Sequence, residues 1–371
     1  MRIALMAMVI FLVAGCGRQS SVSNTTLYVG IPAPFSGGGA EYGDFMRKGA
    51  TLAAEEWNQK TSAGGFKIEL RFEDGQGLPA ETRNAAERLI VRDSVQIVTD
   101  AFNSSATLAI LPLAQSHKIP LLVGLSTADA VTEQNNPWVF RICASNTSLS
   151  SRLCEFIIRK QKPQTVAFIY EKTDFGTNLA STVKERLEKA GVRVVAFEGV
   201  NQHEADFLSL ISKLKILKPD MVFLGILTDS AIPFLRQARS AGFRARWVNA
   251  VSLSNPKFLK DAGDLAEGFV GITHFESTTA KGAAKEFVDD FTRKYNSMPT
   301  HYSAVYYDEI MVIADAARRG GLSREGIFDA LKKTDYEGIT GRIRFGPGGQ
   351  ASIGTIIFEW TKGQQVVLET Q

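Results

Sequence analysis

The feature that most limits how this chain can fold is a regular succession of short apolar runs and longer amphipathic stretches. "LYVGI" (27–31), "FKIELRFED" (66–74), "VQIVT" (95–99) and "IPLLVG" (119–124) read as strands. Between them, residues 41–60, 79–93 and 105–118 carry apolar side chains at helical spacing, with Pro79 opening the second stretch and Pro112 lying inside the third. Strands that alternate with helices of this length need crossover connections, which are right-handed and produce a mostly parallel sheet. After "WVFRIC" (138–143) the succession restarts with strands "TVAFIY" (165–170), "VRVVAFEGV" (192–200) and "DMVFLGI" (220–226), again separated by helical stretches. The fold class is therefore α/β, in two similar layered units.

The last third does not build a third unit. Residues 282–296, 301–320 and 324–334 read as helices, and 341–350 with 352–360 as a terminal hairpin. Three helices with so few strands must pack onto a sheet made earlier, so the chain crosses between the units more than once. Two Rossmann-like lobes then enclose a cleft at their strand ends, where open sheets of this kind bind ligands. A chain of 371 residues that is 44% hydrophobic supports two cores.

Several function classes fall away. Net charge is +3 with 22% charged residues and no dense basic block, which argues against a nucleic-acid partner. There is no G-x-S-x-G elbow, and the glycine-rich runs at 35–43 and 345–350 lack the Lys-Ser/Thr ending of a P-loop and the dinucleotide spacing. His117, His203, His274 and His301 are far apart, with no carboxylate or cysteine beside them at metal-ligand spacing. No catalytic residue, metal or cofactor is expected.

The first residues, "MRIALMAMVIFLVAGC", place an arginine, an apolar run and small residues before Cys16. "LVAGC" resembles a lipobox. That resemblance implies a signal peptide over 1–15, lipid on Cys16, a polar linker over 16–25, and a protein tethered through lipid on the periplasmic or extracellular side of the cell envelope. Export permits a disulfide, so Cys143 and Cys154 are read either as a bridged pair or as two buried thiols.

The polar run "DAFNSSAT" (100–107) stands where a strand hands over to a helix. Asn103, Ser104 and Ser105 fall in the cap and first turn, where free backbone N–H groups and the positive helix end suit a carboxylate. After the next strand, Ser126 and Thr127 form a second hydroxyl-bearing turn. Neighbouring strands of a parallel sheet end side by side, so the two turns face one spot and read as a cradle for an anionic ligand.

These stretches, with "YVGIPAPFSGGGAEYGDFMRKGATLAAEEWN", "KIPLLVGLSTADAVT", "IYEKTDFGTNLASTVKERLEKAGVRVV" and "GDLAEGFVG", resemble the branched-chain amino acid (Leu/Ile/Val) binding proteins of ABC transporters, over about residues 26–362. The resemblance implies the type I periplasmic fold, with lobe 1 made of 26–145 and 275–350, lobe 2 of 146–274 and 351–371, and three crossover segments between them. It implies no catalysis, a monomer, a small carboxylate ligand (a branched-chain or related amino acid), and an ABC permease as partner. By the same resemblance Ser104, Ser126 and Thr127 hold the ligand carboxylate, Tyr42 belongs to the first glycine-rich loop of the site, and Phe175 closes it from lobe 2. Two positions depart from the pattern. The acid expected opposite the ligand ammonium falls on Val251 or Ser252, and a tyrosine is replaced around Ile226 and Leu227. Asp229 is the candidate substitute acid. Two alternatives stay open: an amine-free aliphatic or aromatic carboxylate as ligand, and a ligand-sensing lipoprotein coupled to a membrane receptor.

Overall fold

The computed structural model describes residues 26–61, 65–250 and 252–370; Cys16 and Val251 lie outside the described residues. The first part of the chain runs β1 (Thr26–Ala33), α1 (Ala40–Lys60), β2 (Lys67–Asp74), α2 (Pro79–Val91), β3 (Ile97–Thr99), α3 (Ser104–Ser116), β4 (Leu121–Val123), α4 (Ala130–Glu133) and β5 (Val139–Arg141). These strands form a parallel sheet in the order β2-β1-β3-β4-β5. The second part runs α5 (Asn146–Phe156), β6 (Thr165–Glu171), α6 (Asp174–Lys189), β7 (Arg193–Val200), α7 (Leu208–Leu217), β8 (Met221–Gly225), α8 (Thr228–Ser240), β9 (Arg246–Asn249), α9 (Pro256–Ala262) and β10 (Val270–Thr273). Then come α10 (Ala283–Tyr295), α11 (His301–Gly320), α12 (Arg324–Leu331), β11 (Asp335–Gly338), β12 (Gly341–Arg344), β13 (Ile356–Thr361) and β14 (Gln364–Thr370). The second sheet has the order β14-β13-β10-β9-β8-β6-β7, parallel except for β13 and β14.

The central strands of each sheet are covered on both faces, which is why they read as unbroken apolar runs. Side chains alternate along β4: Leu121 and Val123 face α2 and α3, while Leu122 faces the core that α1, α10, α11 and α12 close. In β8, Met221 and Phe223 pack toward α5 and α6, and Val222 and Leu224 toward α7 and α8. The helices of the last third do return to the first sheet. Helix α11 lies so close to α1 that a Cβ on Gly49 would sit 2.1 Å from the Ser303 carbonyl oxygen. Only glycine permits that approach.

The end of the chain differs from the sequence reading. Segment 341–344 pairs with β11 through a tight turn, forming a separate two-stranded ribbon, and β13 pairs with β10 and β14. Two physical signals decide this. Ile357, Phe358 and Trp360 bury against the second sheet, and Lys362 with Gly363, both at positive φ, turns β13 directly into β14.

Three segments pass between the sheets side by side, near residues 142–145, 274–276 and 350–355. The Ala144 N–H donates to His274 Nε2 at 3.2 Å, Gln350 Nε2 donates to the Cys143 carbonyl at 2.8 Å, and the Ala351 N–H donates to the Arg141 carbonyl at 2.8 Å. The disulfide reading is corrected here: Cys143 and Cys154 are both free and buried. Cys143 lies on a crossover segment with its Sγ against the Ser126 carbonyl. Cys154 has turned into the core beneath α6, with its Sγ against the Val183 carbonyl. Burial raises both thiols, Cys154 to about 12, so neither is a ready nucleophile.

Helix α11 also carries Glu309 into the first core, where neither carboxyl oxygen has a hydrogen-bond partner. Burial and the nearby Asp100 push its pKa well above the ordinary value. Above about 4.5 the unfolded chain has lost this proton while the folded chain keeps it, so Glu309 makes stability fall as pH rises. We predict that Glu309→Gln removes this slope. The variant's melting temperature should gain on the unmodified protein as pH rises from about 5 to about 8, and parallel melting curves would refute the assignment.

Candidate ligand-binding cleft

The two sheets point their strand ends at a shared cavity of about 700 Å³. One wall consists of the α3 N-terminus and the turn after β4, with Phe102, Asn103, Ser104, Ser105, Leu125 and Thr127. The facing wall comes from the β6–α6 turn, with Glu171, Thr173, Phe175 and Asn178, joined by Leu227 and Ser252. His274, His301 and Tyr302 close the side nearest the crossover segments.

The first wall is built from the run 100–107. Asn103 caps α3, its Oδ1 accepting from the Ala106 N–H at 2.9 Å. Ser104 is buried, and its Oγ accepts from the Ala128 N–H at 3.1 Å, which ties the two polar turns together. Asp100 Oδ2 accepts from the N–H groups of Leu125 (3.1 Å) and Ser126 (2.9 Å), fixing the second turn from below. Arg141, 1% exposed, donates from Nη1 to the carbonyls of Ser126 (3.3 Å) and Ala128 (2.7 Å), one on each side of Thr127. Thr127 is thus held by both neighbours, while its own Oγ1 is buried without a hydrogen-bond partner. A hydroxyl left this way beside a helix N-terminus is a donor for an incoming anion.

Phe102 stands at φ +81°, a left-handed conformation that a bulky residue adopts only when its surroundings hold it there. What holds it is a stack on Tyr42, with ring centroids 4.4 Å apart and planes at 20°. Tyr42 therefore sits behind Phe102 and lines a narrow side recess with Leu227, Asp229 and His203. Ser126 is also kept from the cavity, its hydroxyl sharing a 2.6 Å hydrogen bond with Thr107. Asp229 bonds His203 in the side recess. Of the residues singled out by sequence, Asn103, Ser104, Ser105, Thr127, Phe175 and Leu227 meet in the main cavity.

Sequence reasoning missed Glu171, the last residue of β6. It is 1% exposed; its Oε1 accepts from Ser230 Oγ at 2.8 Å and from the Leu227 N–H at 3.3 Å, and its Oε2 is buried without a partner. Burial raises its pKa to about 7, against the pull of those two donors. The signal was present: a glutamate closes a six-residue apolar strand at the sheet edge where ligands bind. The two cavity histidines are also set by burial, His274 lowered to about 4 and His301 to about 3, so both are neutral near pH 7. Because His274 Nε2 accepts from Ala144, its proton resides on Nδ1.

The lobes touch across the cleft. The Asp174 N–H donates to Ser105 Oγ at 3.3 Å, and the Asp129 N–H donates to Asn178 Oδ1 at 3.2 Å.

Comparison with known proteins agrees with this architecture. The profile of the family described as "Periplasmic binding protein" matches residues 26–365. The leucine-, isoleucine-, valine-, threonine- and alanine-binding protein of Pseudomonas aeruginosa is 28% identical over 354 residues, covering 94% of each chain. Among solved structures, a branched-chain amino acid transporter substrate-binding protein from Streptococcus pneumoniae, in complex with isoleucine, superposes with a TM-score of 0.86 at 25% identity, over 93% of this chain and 99% of that one. A solute-binding protein of an ABC transporter from Rhodopseudomonas palustris, in complex with benzoate, shares the fold with a TM-score of 0.86 at 20% identity, over 93% and 96%.

Proposed function

Since the chain belongs to the periplasmic binding protein family, a family of non-catalytic solute-binding proteins, we propose that it captures a small carboxylate-bearing solute outside the cytoplasm and presents it to an ABC importer. The observation that carries this reading is Thr127: a residue lining the cavity between two lobes, beside the α3 N-terminus, with a buried hydroxyl that has no partner. Ser104 and Ser105 line the same wall, and the helix end favours negative charge. Phe102, Phe175 and Leu227 supply an apolar surface for the body of the solute. The relatives from Pseudomonas and Streptococcus point to a branched-chain or related amino acid.

The lobes take the boundaries given by the resemblance, 26–145 with 275–350 and 146–274 with 351–371. The protein acts as a monomer, held to the envelope by lipid on Cys16. Closure of the lobes over the solute is the state the permease reads, and Asp174 with Ser105 and Asn178 with Asp129 join the two lobes across the cleft. A thermal-shift screen over amino acids, keto acids and aromatic acids tests the reading, since a ligand that binds only the folded form raises the melting temperature. At least one carboxylate solute should raise it in a dose-dependent way, and their acid-free amides should not. Equal shifts with acids and amides would sink the carboxylate reading.

A second reading, an amine-free acid as solute, draws on the apolar character of Phe102, Phe175 and Leu227.

A further inference from the structure

Among the described residues lining the main cavity, two carry a buried polar side-chain atom without a hydrogen-bond partner, and they stand on opposite walls: Thr127 with its Oγ1 and Glu171 with its Oε2. The first is a hydroxyl able to donate. The second is a carboxyl oxygen, and its behaviour depends on its proton. Ionised, it only accepts; protonated, it can donate. We propose that Glu171 is the residue that sets the ligand class of this cleft, its ionised form requiring an ammonium on the solute and its protonated form admitting an amine-free acid.

The geometry favours a role at the ligand. Oε1 is fully used by Ser230 and Leu227, which locks the carboxyl and leaves Oε2 as the free position. A buried ionised oxygen with no donor is strongly unfavourable, and a cationic donor is the group that relieves it. An acid without an amine would instead bring a second negative charge into the same cavity, unless Glu171 holds a proton.

The charged groups around Glu171 do not supply that donor. From the β8–α8 junction Asp229 faces it with like charge, already engaged by His203 of the β7–α7 loop. On its own turn, Lys172 extends along Gly199 of β7 and Asp174 lies at the cleft mouth against Ser105. The midpoint of about 7 lies where a modest change of pH shifts the carboxyl between its two forms.

This inference rests on the cleft being the solute site, and the test separates the two. Titration calorimetry compares three matched pairs, each an amino acid and the keto acid it gives on deamination: alanine, leucine and phenylalanine. Measurements run on the full protein at about pH 8 and about pH 6, one unit either side of the Glu171 midpoint of about 7. At the higher pH the amino acid of the bound pair should be preferred, and the preference should shrink at the lower pH. Glu171→Gln should weaken the amino acid on the order of ten- to hundredfold, leave the keto acid as tight or tighter, and abolish the pH dependence of the preference. Glu171→Asp, which keeps the charge, should retain the amine preference at lower affinity, so a fold defect in the glutamine variant would not hide the result. If the glutamine variant keeps the preference of the unmodified protein, the Glu171 assignment is wrong while the cleft stands. If a bound acid keeps its full affinity in Thr127→Val, the cleft reading itself fails, whatever Glu171→Gln does.

Discussion

Thr127→Val weakens every carboxylate solute of this protein by roughly ten- to hundredfold, the range for losing a hydrogen bond to a charged group, and leaves the ligand-free protein at least as stable. Both halves follow from one fact, that the Thr127 hydroxyl is buried with no partner. Valine keeps the shape and deletes an oxygen that nothing in the unliganded fold satisfies, so the fold loses no contact. The solute loses its donor. Ser104→Ala behaves differently, because Ser104 Oγ accepts from the Ala128 N–H. Removing it leaves that buried N–H unpaired and costs about 1–3 kcal/mol of stability in addition to affinity. Calorimetry with a carboxylate solute, together with melts of the free proteins, separates the two signatures. Unchanged affinity in the valine variant would mean that the carboxylate does not bind at Thr127.

The largest effect on stability is expected from Arg141→Met, a loss of about 1–3 kcal/mol for each buried neutral acceptor whose donor it removes. Arg141 is 1% exposed, and burial lowers its pKa. Its partners are neutral: Gln350 Oε1 at 2.5 Å, the Ala128 carbonyl at 2.7 Å, Thr132 Oγ1 at 2.8 Å and the Ser126 carbonyl at 3.3 Å. Methionine replaces the aliphatic stem but withdraws the guanidinium from all four acceptors, leaving the Ala128 carbonyl only the Val131 N–H and the Ser126 carbonyl only the Cys143 Sγ. Two of them flank Thr127, so affinity for the solute should fall with stability. Gln350 belongs to a crossover segment, so the lobes should also lose their fixed relation. Thermal melts and solute titration of the variant read both effects. A variant with lowered stability and intact affinity would show that Thr127 is held without Arg141.

Much of this was legible from local patterns. The alternation of apolar runs and helical stretches specified two parallel sheets because strands buried on both faces have no polar positions to spare, as in β8. The run 100–107 read as a helix start from its residue types, and Asn103 caps α3 as that chemistry requires. What escaped depends on contacts between distant parts of the chain. Ser126 reads like Thr127 in sequence, but Thr107 takes its hydroxyl. Tyr42 is turned into a support for Phe102, whose left-handed backbone no local rule foretells. Glu171 lies at neither the family position of the lobe 2 acid, Val251 or Ser252, nor the neighbouring turn that offers Asp229, and only the fold brings it to the cavity. His274 and His301, 27 positions apart by their numbers, are brought to one wall only by the crossover after β10.

The return of α11 to the first sheet has a consequence for the order in which the molecule is made. Strand β1 is complete by Ala33, yet one face of its sheet waits for Tyr302, Tyr306, Ile310 and Ile313. Strands β6 to β9 and helices α5 to α8, by contrast, are contiguous along the chain. During synthesis the central segment therefore gathers its own core first, while the amino-terminal sheet keeps an uncovered apolar face until α11 emerges. Contacts of such long sequence separation form slowly, and incomplete lobes of this kind are where chaperones bind. The same threading leaves the first lobe to be synthesised open until α11 and α12 have emerged, and the second until β13 and β14 have closed its sheet.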